Sequence, residues 1–272
     1  MTDILIIGNP TIDYIDGDYF SPGGPVTYIT NSLSQLGQSE ITAVTSFGKN
    51  FSYTNFPKTS DVINIKSDKT NKFDFSISSD NRKMVVISSS NLITLTKINL
   101  KKVPDLIFIA PVLNEFSIKK TEKLMNKYIN SFFVGMPQGW IRKIKNGNVH
   151  FDYSMLSNLP FFDIVFFSEE EISDSKIPIK YFKNLSKILV ITQGKNGAKI
   201  YIKDEIIDIP SFSIQAINTI GAGDIFASVF SLEFYKTKKI IYSGNLANKI
   251  AAKSTQYLGI ESINSEVFIS SP

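Results

Sequence analysis

Short apolar runs alternate with amphipathic stretches along most of this chain. The first run, Ile4 to Ile7, leads into a loop at Gly8 to Pro10, and apolar residues at helical spacing follow between Val26 and Leu36. Five further apolar runs are mostly separated by helical or polar stretches: Ile41 to Phe47, Leu106 to Ala110, Phe132 to Gly135, Ile164 to Phe167 and Ile188 to Thr192. This alternation predicts an α/β fold with a doubly wound, mainly parallel sheet flanked by helices on both faces.

The pattern becomes short and strand-like between residues 61 and 96, where Phe73, Phe75 and Ile77 recur at period two. We expect residues near 14–22 and 61–96 to form a small strand-rich lid that closes over a substrate. An exposed strand edge on this lid would also suit a homodimer.

Two later patterns complete the predicted architecture. Residues 198–203 and 205–209 read as a hairpin, and residues 223–257 read as two helices. A length of 272 residues is long for one domain and short for two, so we expect a single α/β domain over 1–272 with the lid inserted in it.

Composition excludes several classes of function. The chain has no cysteine, which excludes thiolate chemistry, and one histidine, which excludes a multi-histidine metal site and leaves His150 as the only base for a Ser/His/Asp triad. The net charge of +4 is scattered, and basic residues do not alternate with aromatic ones, so nucleic acid is not an expected partner. No apolar run approaches the ~18 residues of a membrane helix, and no secretory signal pattern opens the chain. A cytoplasmic location without membrane attachment is therefore expected.

The strongest chemical signal is the segment Asn218 to Asp224, which leads into an apolar helix. Gly221 and Gly223, on either side of Ala222, permit a tight turn that exposes backbone N–H groups at a helix N-terminus, where an anion such as phosphate binds. Asp224 lies in the first turn, where it can accept the proton of a hydroxyl that attacks that phosphate. The alternative is that Gly223 permits close packing and Asp224 caps the helix.

At this motif the sequence resembles the ribokinase-like family, also called phosphofructokinase-B-type or PfkB-type carbohydrate kinases, whose signature contains D-T-x-G-A-G-D. The resemblance covers nearly the whole chain in order, through these segments and the lid: Gly8 to Asp13, Gly23-Gly24, Ser168 to Glu171, Thr192 to Ala198, and the signature. It implies an enzyme that transfers the γ-phosphate of ATP, with Mg²⁺, to a hydroxyl of a sugar, cyclitol or nucleoside.

The resemblance also implies residue roles on the donor side. Asp224 would be the general base, and the backbone of Gly221, Ala222 and Gly223 would form the anion hole. The residues implied near the nucleotide are Thr192, Gly194, Gly197, Asn218 and Asn248. Gly194 and Gly197 equally suit a turn between a strand and a hairpin. The signature's first aspartate is replaced by Asn218, which predicts weak activation by potassium because one negative charge is missing.

Glu171 matches the acidic end of the family's N-x-x-E motif, which orders magnesium and its waters near the phosphates. The asparagine of that motif is replaced by Ser168. Magnesium keeps several waters, so one carboxylate acting through water suffices, and the serine hydroxyl could hold one of those waters. The alternative is an ordinary glutamate in the first turn of a helix.

Asp13 follows the first strand at the carboxyl edge of the sheet, where open α/β proteins bind ligands. Its carboxylate can accept hydrogen bonds from two neighbouring hydroxyls. Gly23 and Gly24 would let the backbone approach the ligand, or would simply form a turn before the helix. Tyr28 stands where ribose-specific members of the family carry asparagine, which argues against ribose as the acceptor.

The segment from Pro137 to Arg142 resembles a D-P-Q-G-x-x-R segment of archaeal sugar-kinase-like and inositol-kinase-like members, with Met136 in place of the aspartate. Gln138 and Arg142 are therefore candidate substrate-binding residues, although a surface arginine that caps a loop is the plain alternative. A cyclitol such as myo-inositol or a simple sugar is the first choice of acceptor, and a nucleoside is the second.

Other classes fit less well. The chain has no G-x-x-x-x-G-K-[ST] segment of a Walker-type kinase, and Gly8 and the Gly221 cluster do not complete the G-x-G-x-x-G of a dinucleotide-binding protein. A noncatalytic sugar or nucleotide sensor on the same fold is the main alternative from another class, since fold does not fix function.

Overall fold

The computed structural model describes residues 2–15, 19–38, 40–78, 81–98, 100 and 102–269. The strands of these residues are β1 (Ile4–Ile7), β2 (Thr11–Ile15), β3 (Tyr19–Gly23), β4 (Ile41–Thr45), β5 (Ser60–Asn64), β6 (Asn71–Ser78), β7 (Asn81–Ser88), β8 (Leu106–Ile109), β9 (Phe132–Gly135), β10 (Arg142–Lys145), β11 (Asn148–Phe151), β12 (Phe162–Ser168), β13 (Ser186–Thr192), β14 (Ala198–Ile202) and β15 (Glu205–Ile209). The helices are α1 (Pro25–Gln35), α2 (Ile118–Lys127), α3 (Gln138–Ile141), α4 (Glu169–Ser175), α5 (Ile179–Lys183), α6 (Ala222–Thr237), α7 (Ile240–Ser254) and α8 (Ser265–Phe268).

The larger sheet has nine strands in the order β15-β14-β13-β12-β9-β8-β1-β4-β5. The strands from β13 to β5 in that order pair in parallel, and β14 and β15 continue the sheet as an antiparallel hairpin. The central strands β1 and β8 are buried at every position, which explains why they read as unbroken apolar runs. The predicted α/β fold with a mainly parallel sheet is confirmed.

Helices cover both faces of this sheet. On one face, the core contains Val26 and Leu33 from α1 and Phe230 from α6. On the other face, it contains Leu124 from α2 and Phe182 from α5. The sheet is therefore doubly wound. Among the residues that the structure describes, none of the helices combines the length and the hydrophobicity that a membrane span requires.

A second, six-stranded sheet lies in the order β10-β11-β7-β6-β2-β3 and corresponds to the expected lid. The expected bounds of the lid need two corrections. Residues 61–64 belong to β5, which pairs in parallel with β4 at the edge of the larger sheet, because an apolar strand pattern does not specify its partner. The hairpin β10–β11 joins the lid through the pair Asn148 and Val85. Residues 16–18 and 79–80, which the prediction placed in the lid, lie outside the described residues.

The lid packs on the body through a small apolar cluster. Phe73 and Phe75 of β6 contact Val112, which lies beyond the end of β8, and the partly buried Ile220 packs against the same cluster. Ile220 immediately precedes the Gly221 turn. Strand β6 also pairs with β2, beginning with Asn71 opposite Thr11. The lid sheet therefore stands over the carboxyl edge of the larger sheet.

Candidate active site

A cavity of about 630 Å³ lies between the carboxyl edge of the larger sheet and the lid. Most of the predicted site residues line it, although they are spread over more than 200 positions of sequence. These are Asp13, Gly24, Tyr28, Gln138, Arg142, Ser168, Glu171, Thr192, Gly221, Gly223 and Asp224. Both predicted sides of the site, for donor and for acceptor, therefore meet in one cavity.

The turn before α6 presents backbone donors to this cavity. Gly221 is the N-cap, with φ of 81°, and no side chain caps the helix. The N–H of Ala222 donates to the carbonyl of Thr219 at 3.3 Å, whereas the N–H groups of Gly223 and Asp224 donate to no other described residue. Two amide donors at a helix N-terminus can bind an anion such as a phosphoryl group.

The two glycines of this turn have different structural roles. A Cβ atom on Gly221 would lie 2.3 Å from the ring of Tyr28, which is buried, so Gly221 is required both for its positive φ and for this contact. A Cβ atom on Gly223 would meet no atom within 4 Å. Gly223 is therefore not needed for packing, and the space beside it belongs to the cavity.

Asp224 has the electrostatic environment of a base. Burial raises its pKa to about 7, Arg142 opposes the shift, and Asp13 and Glu171 add to it. Its carboxyl group thus lies within electrostatic range of one guanidinium and two other carboxylates. A carboxyl group that titrates near neutral pH can take a proton from an alcohol in the transition state and release it afterwards.

Asp13 lies on β2 and is buried, with 3% of its surface exposed. The Thr11 hydroxyl donates to its Oδ1 at 2.6 Å. A Cβ atom on Gly23 would lie 2.0 Å from Oδ2, so Gly23 leaves room for the Asp13 side chain rather than forming the cavity surface itself. Gly24 has φ of 83° and begins α1 at the cavity wall.

Glu171 and Ser168 form a capping box at the start of α4. The Ser168 N–H donates to Glu171 Oε2 at 2.8 Å, and the Glu171 N–H donates to Ser168 Oγ at 3.2 Å. Burial raises the pKa of Glu171, and the Ser168 N–H and Arg142 oppose this shift. One carboxylate oxygen of Glu171 therefore caps the helix, as the helix-capping interpretation holds. The same side chain also lines the cavity.

These residues can hold a magnesium ion only as part of a larger ligand set. Among the described residues, no group of three or more Asp, Glu or His side chains could ligate a metal. One carboxylate and one hydroxyl at the cavity wall fit an ion whose remaining ligands are waters and substrate phosphates, which is the coordination that Mg²⁺ favours in phosphotransferases.

Four of the predicted nucleotide residues lie outside the cavity lining and hold loops in place. Gly197 has φ of 90°, and a Cβ atom there would lie 2.1 Å from the Ile209 carbonyl oxygen. Gly194 also has a positive φ, of 52°. Asn218 Oδ1 accepts from the Ile220 N–H at 2.7 Å, and Asn248 Nδ2 donates to the Pro210 carbonyl at 2.5 Å. Thr192, by contrast, lines the cavity.

The lid contributes residues that sequence reasoning did not assign to the site. The hairpin β10–β11 brings Asn148 and His150 to the cavity together with Arg142. Asn146 and Gly147 join the two strands with φ of 52° and 78°, which is the geometry of a two-residue Asn-Gly turn. That dipeptide was the available signal, because Asn-Gly between strand-like runs is a strong indicator of a hairpin.

Residues 151–266 match the family model described as pfkB family carbohydrate kinase. The chain is 32% identical over 102 residues to the uncharacterised sugar kinase PH1459 of Pyrococcus horikoshii, and 31% identical over 112 residues to fructokinase-1 of Zea mays. Each match covers 36% of this chain, and 32% and 35% of the two relatives. The matched segments thus span about a third of the length of these relatives.

Solved structures resemble the chain over nearly its whole length. A pyrophosphate-dependent kinase in the ribokinase family, in a complex with sulfate, has a TM-score of 0.78 at 19% identity and covers 96% of this chain and 99% of its own. Its complex with a pyrophosphate analogue and myo-inositol has a TM-score of 0.76 at 19% identity, covering 96% and 98%. Fructokinase of Xylella fastidiosa with bound ATP has a TM-score of 0.77 at 13% identity, covering 99% and 98%.

The fold is therefore that of the ribokinase-like α/β proteins. The family model matches the part of the chain that carries the Gly221 turn and Asp224. Together these findings confirm the resemblance to the ribokinase-like, or PfkB-type, carbohydrate kinases that the sequence motifs indicated.

Proposed function

We propose that this protein is a kinase that transfers the γ-phosphoryl group of ATP to a hydroxyl of a sugar or cyclitol, such as myo-inositol. The observation that carries the proposal is the arrangement of Asp224, which combines a pKa near 7 with a position beside the two amide donors of the α6 N-terminus. Asp13, a carboxylate suited to hydroxyl groups, faces the same cavity. The similarity to fructokinases and sugar kinases supports the same activity.

In the proposed reaction, Asp224 accepts the proton of the acceptor hydroxyl as its oxygen bonds to the γ-phosphorus. The bond from phosphorus to the bridging oxygen breaks, and ADP leaves with that oxygen. The N–H groups of Gly223 and Asp224 stabilise the negative charge of the transferring phosphoryl group. Asp13 accepts hydrogen bonds from neighbouring acceptor hydroxyls and so holds the attacking oxygen near Asp224.

Arg142 supplies positive charge to a cavity that contains Asp13, Glu171 and Asp224. Because it lowers the pKa of both Glu171 and Asp224, its guanidinium lies within electrostatic range of the predicted base and of the predicted metal carboxylate. We assign it to a phosphate or hydroxyl group of the substrates. Mg²⁺, bound through water to Glu171 and Ser168, would neutralise charge on the donor phosphates.

The test is a screen of sugars, inositols and nucleosides with ATP, followed by coupled detection of ADP, and a parallel screen with pyrophosphate that detects phosphate. Acceptor-dependent release of ADP with a sugar or inositol supports the proposal, and turnover with nucleosides alone would favour the nucleoside kinase alternative. Asp224→Asn is the control, since it should abolish most of the turnover. Thermal shifts with polyols or ATP but no turnover would instead indicate a noncatalytic sensor.

A further inference from the structure

Glu115 is a buried carboxylate outside the catalytic group described above. It lies between β8 and α2, and only 2% of its surface is exposed. Its Oε1 accepts from the Asn9 N–H at 2.8 Å and from the Val112 N–H at 2.9 Å. Its Oε2 accepts from the Val112 and Leu113 N–H groups at 2.9 and 2.8 Å. Both oxygens are thus acceptors of backbone donors, which is the hydrogen-bonding pattern of an ionised carboxylate.

Backbone amides replace a cation at this carboxylate. Within the described residues, no lysine, arginine or histidine forms an ion pair with Glu115. Burial raises its pKa, and the bonds from Leu113, Val112 and Asn9 lower it. Burying a carboxylate without a cation is costly unless its hydrogen bonds are well made, so these bonds strongly fix the segments that donate them.

One of those segments leads directly to the acceptor side of the cavity. Asn9 is followed by Pro10 and by β2, which carries Asp13. The ideal Cβ position of Gly24 is 2.9 Å from the Asn9 carbonyl oxygen and 3.0 Å from the Thr11 nitrogen, so this loop packs against the start of α1 without spare space. The other segment carries Val112, which lines the cavity and contacts the lid.

The side chain of Asn9 extends this connection to the root of the lid, which is the place where the β6–β7 hairpin leaves the body. Its Oδ1 accepts from the Ser46 N–H at 2.7 Å, and its Nδ2 donates to Ser90 Oγ at 2.7 Å. The Ser90 hydroxyl and N–H donate in turn to Asn71 Oδ1, at 3.1 and 2.8 Å. Asn71 begins β6 and Ser90 follows β7, so both ends of the β6–β7 hairpin of the lid meet at this network.

We propose that Glu115 is a positioning residue for the acceptor site, which fixes the Asn9 loop, the Val112 wall and, through Asn9, the root of the lid. The inference rests on the proposed function, since it assigns the cavity to an acceptor bound beneath the lid. Glu115 itself does not line the cavity. It acts by holding the backbone that carries Asp13 and by setting where the lid crosses the body.

The kinetic test is Glu115→Gln, which keeps the size of the side chain but replaces one acceptor oxygen with an NH₂ group that opposes a backbone N–H. The loss of one hydrogen bond to a charged group should raise the acceptor KM by about tenfold or more, with kcat and the ATP KM within about twofold. Glu122→Gln, at an exposed glutamate of α2, is the matched control and should change none of these constants. An unchanged acceptor KM in Glu115→Gln would overturn the proposal.

A second variant and a second measurement do not depend on Glu115→Gln being well folded. Ser90→Ala removes the link between Asn9 and Asn71 without touching a buried charge, and should raise the acceptor KM by about threefold. Hydrogen exchange in peptides that cover 8–14 and 110–116 should be faster in Glu115→Gln, or in Glu115→Asp if the former does not fold, than in Glu122→Gln. Equal exchange rates would refute the positioning role even if the wild-type protein phosphorylated no acceptor, so failure of the two proposals can be distinguished.

Discussion

Asp224 and Asp13 face the same cavity but are assigned different tasks, which kinetics can separate. Asp224→Asn removes an interaction that is made only as the hydroxyl loses its proton, so kcat should fall by about 10²-fold or more with little change in KM. Asp13→Asn removes a charged acceptor of hydrogen bonds in both ground and transition states. It should raise the acceptor KM by roughly ten- to a hundredfold.

The ATP KM is the internal control for both variants, because neither residue is assigned to the nucleotide. An Asp224→Asn enzyme that keeps most of its kcat would refute the assignment of the base. An unchanged acceptor KM in Asp13→Asn would refute only the assignment of the acceptor pocket.

The raised pKa of Asp224 also has a consequence for stability. The carboxyl group titrates near 4 in the unfolded chain and at about 7 in the folded protein. The stability that its protonated form contributes is fully present below pH 4 and is lost as the pH rises through 7, because the folded protein then holds an ionised, desolvated group. Asp224→Asn should therefore melt at a higher temperature than wild type at pH 8, with the difference shrinking towards pH 4.

Each kcal/mol relieved by this substitution corresponds to roughly 2–4 °C in melting temperature for a protein of this size. Calorimetry of both proteins at pH 4.5, 6 and 8 measures the difference, and Asp204→Asn, at an exposed turn, is the control. The same pKa predicts that kcat/KM of wild type rises with pH to a plateau above about 7. A constant difference in melting temperature at all three pH values would contradict the assigned environment.

The two glycines of the anion site offer a matched pair of substitutions. Gly221→Ala places a methyl group 2.3 Å from the Tyr28 ring at a positive φ, so it should lower both stability and activity. Gly223→Ala meets no atom and lies in the first turn of α6, where alanine is compatible with the helical backbone. It should melt no lower than wild type, but its methyl group would occupy the space proposed for the phosphate and should reduce kcat/KM for ATP. Gly223→Ala with full activity would show that no phosphate approaches there.

At the level of residues, sequence reasoning proposed a candidate where a motif carried the chemistry and proposed none where a single residue did. Asp224 was proposed because glycines and an apolar helix surround it. Glu115 was not, since a lone glutamate beyond a buried strand has no distinguishing pattern, and only the fold shows that three backbone N–H groups converge on it.

The prediction of weak activation by potassium concerns the loop before α6. Asn218 Oδ1 accepts from the Ile220 N–H, so a neutral amide holds this turn without the negative charge of the aspartate in the family signature. Replacement of sodium by potassium at fixed ionic strength should therefore change kcat/KM little. A large gain in rate would contradict this expectation, and Asn218→Asp is the informative comparison because it restores the charge.

Strands and helices were predicted well where burial imposes a regular spacing of apolar residues. They were predicted less well where the fold depends on which strand pairs with which. The central strands and the helices from α6 to α7 follow from unbroken apolar runs and helical spacing. The strand character of residues 61–64 was read correctly, but their pairing with β4 was not, because strands of either sheet can have the same pattern. The hairpin β10–β11 has only a short apolar alternation, Val149 and Phe151, so its Asn-Gly turn is the stronger indication.

At the scale of the whole molecule, two strands, β10 and β3, form the edges of the lid sheet. The β3 edge is partly covered, since Ser21 Oγ accepts from the Ile260 N–H at 2.9 Å. The β10 edge carries two lysines, a feature that disfavours pairing with another strand. A homodimer through the lid stays a prediction, and β3, with the exposed Phe20, is the edge that suits it better.

The last prediction concerns how the lid and the body share stability. The cluster of Phe73, Phe75 and Val112 is separate from the two large cores, so the lid should open locally without unfolding the body. Phe75→Ala should accelerate hydrogen exchange in β6 and β7, raise the acceptor KM, and increase ATP hydrolysis without acceptor because water enters the cavity. Its melting temperature should stay close to that of wild type.

Phe230→Ala, which leaves a cavity in the main core, should instead cost about 3–5 kcal/mol and lower the melting temperature of the whole protein. If both variants lose stability equally and exchange rises everywhere in Phe75→Ala, the lid and the body form one cooperative unit and local opening cannot gate the site.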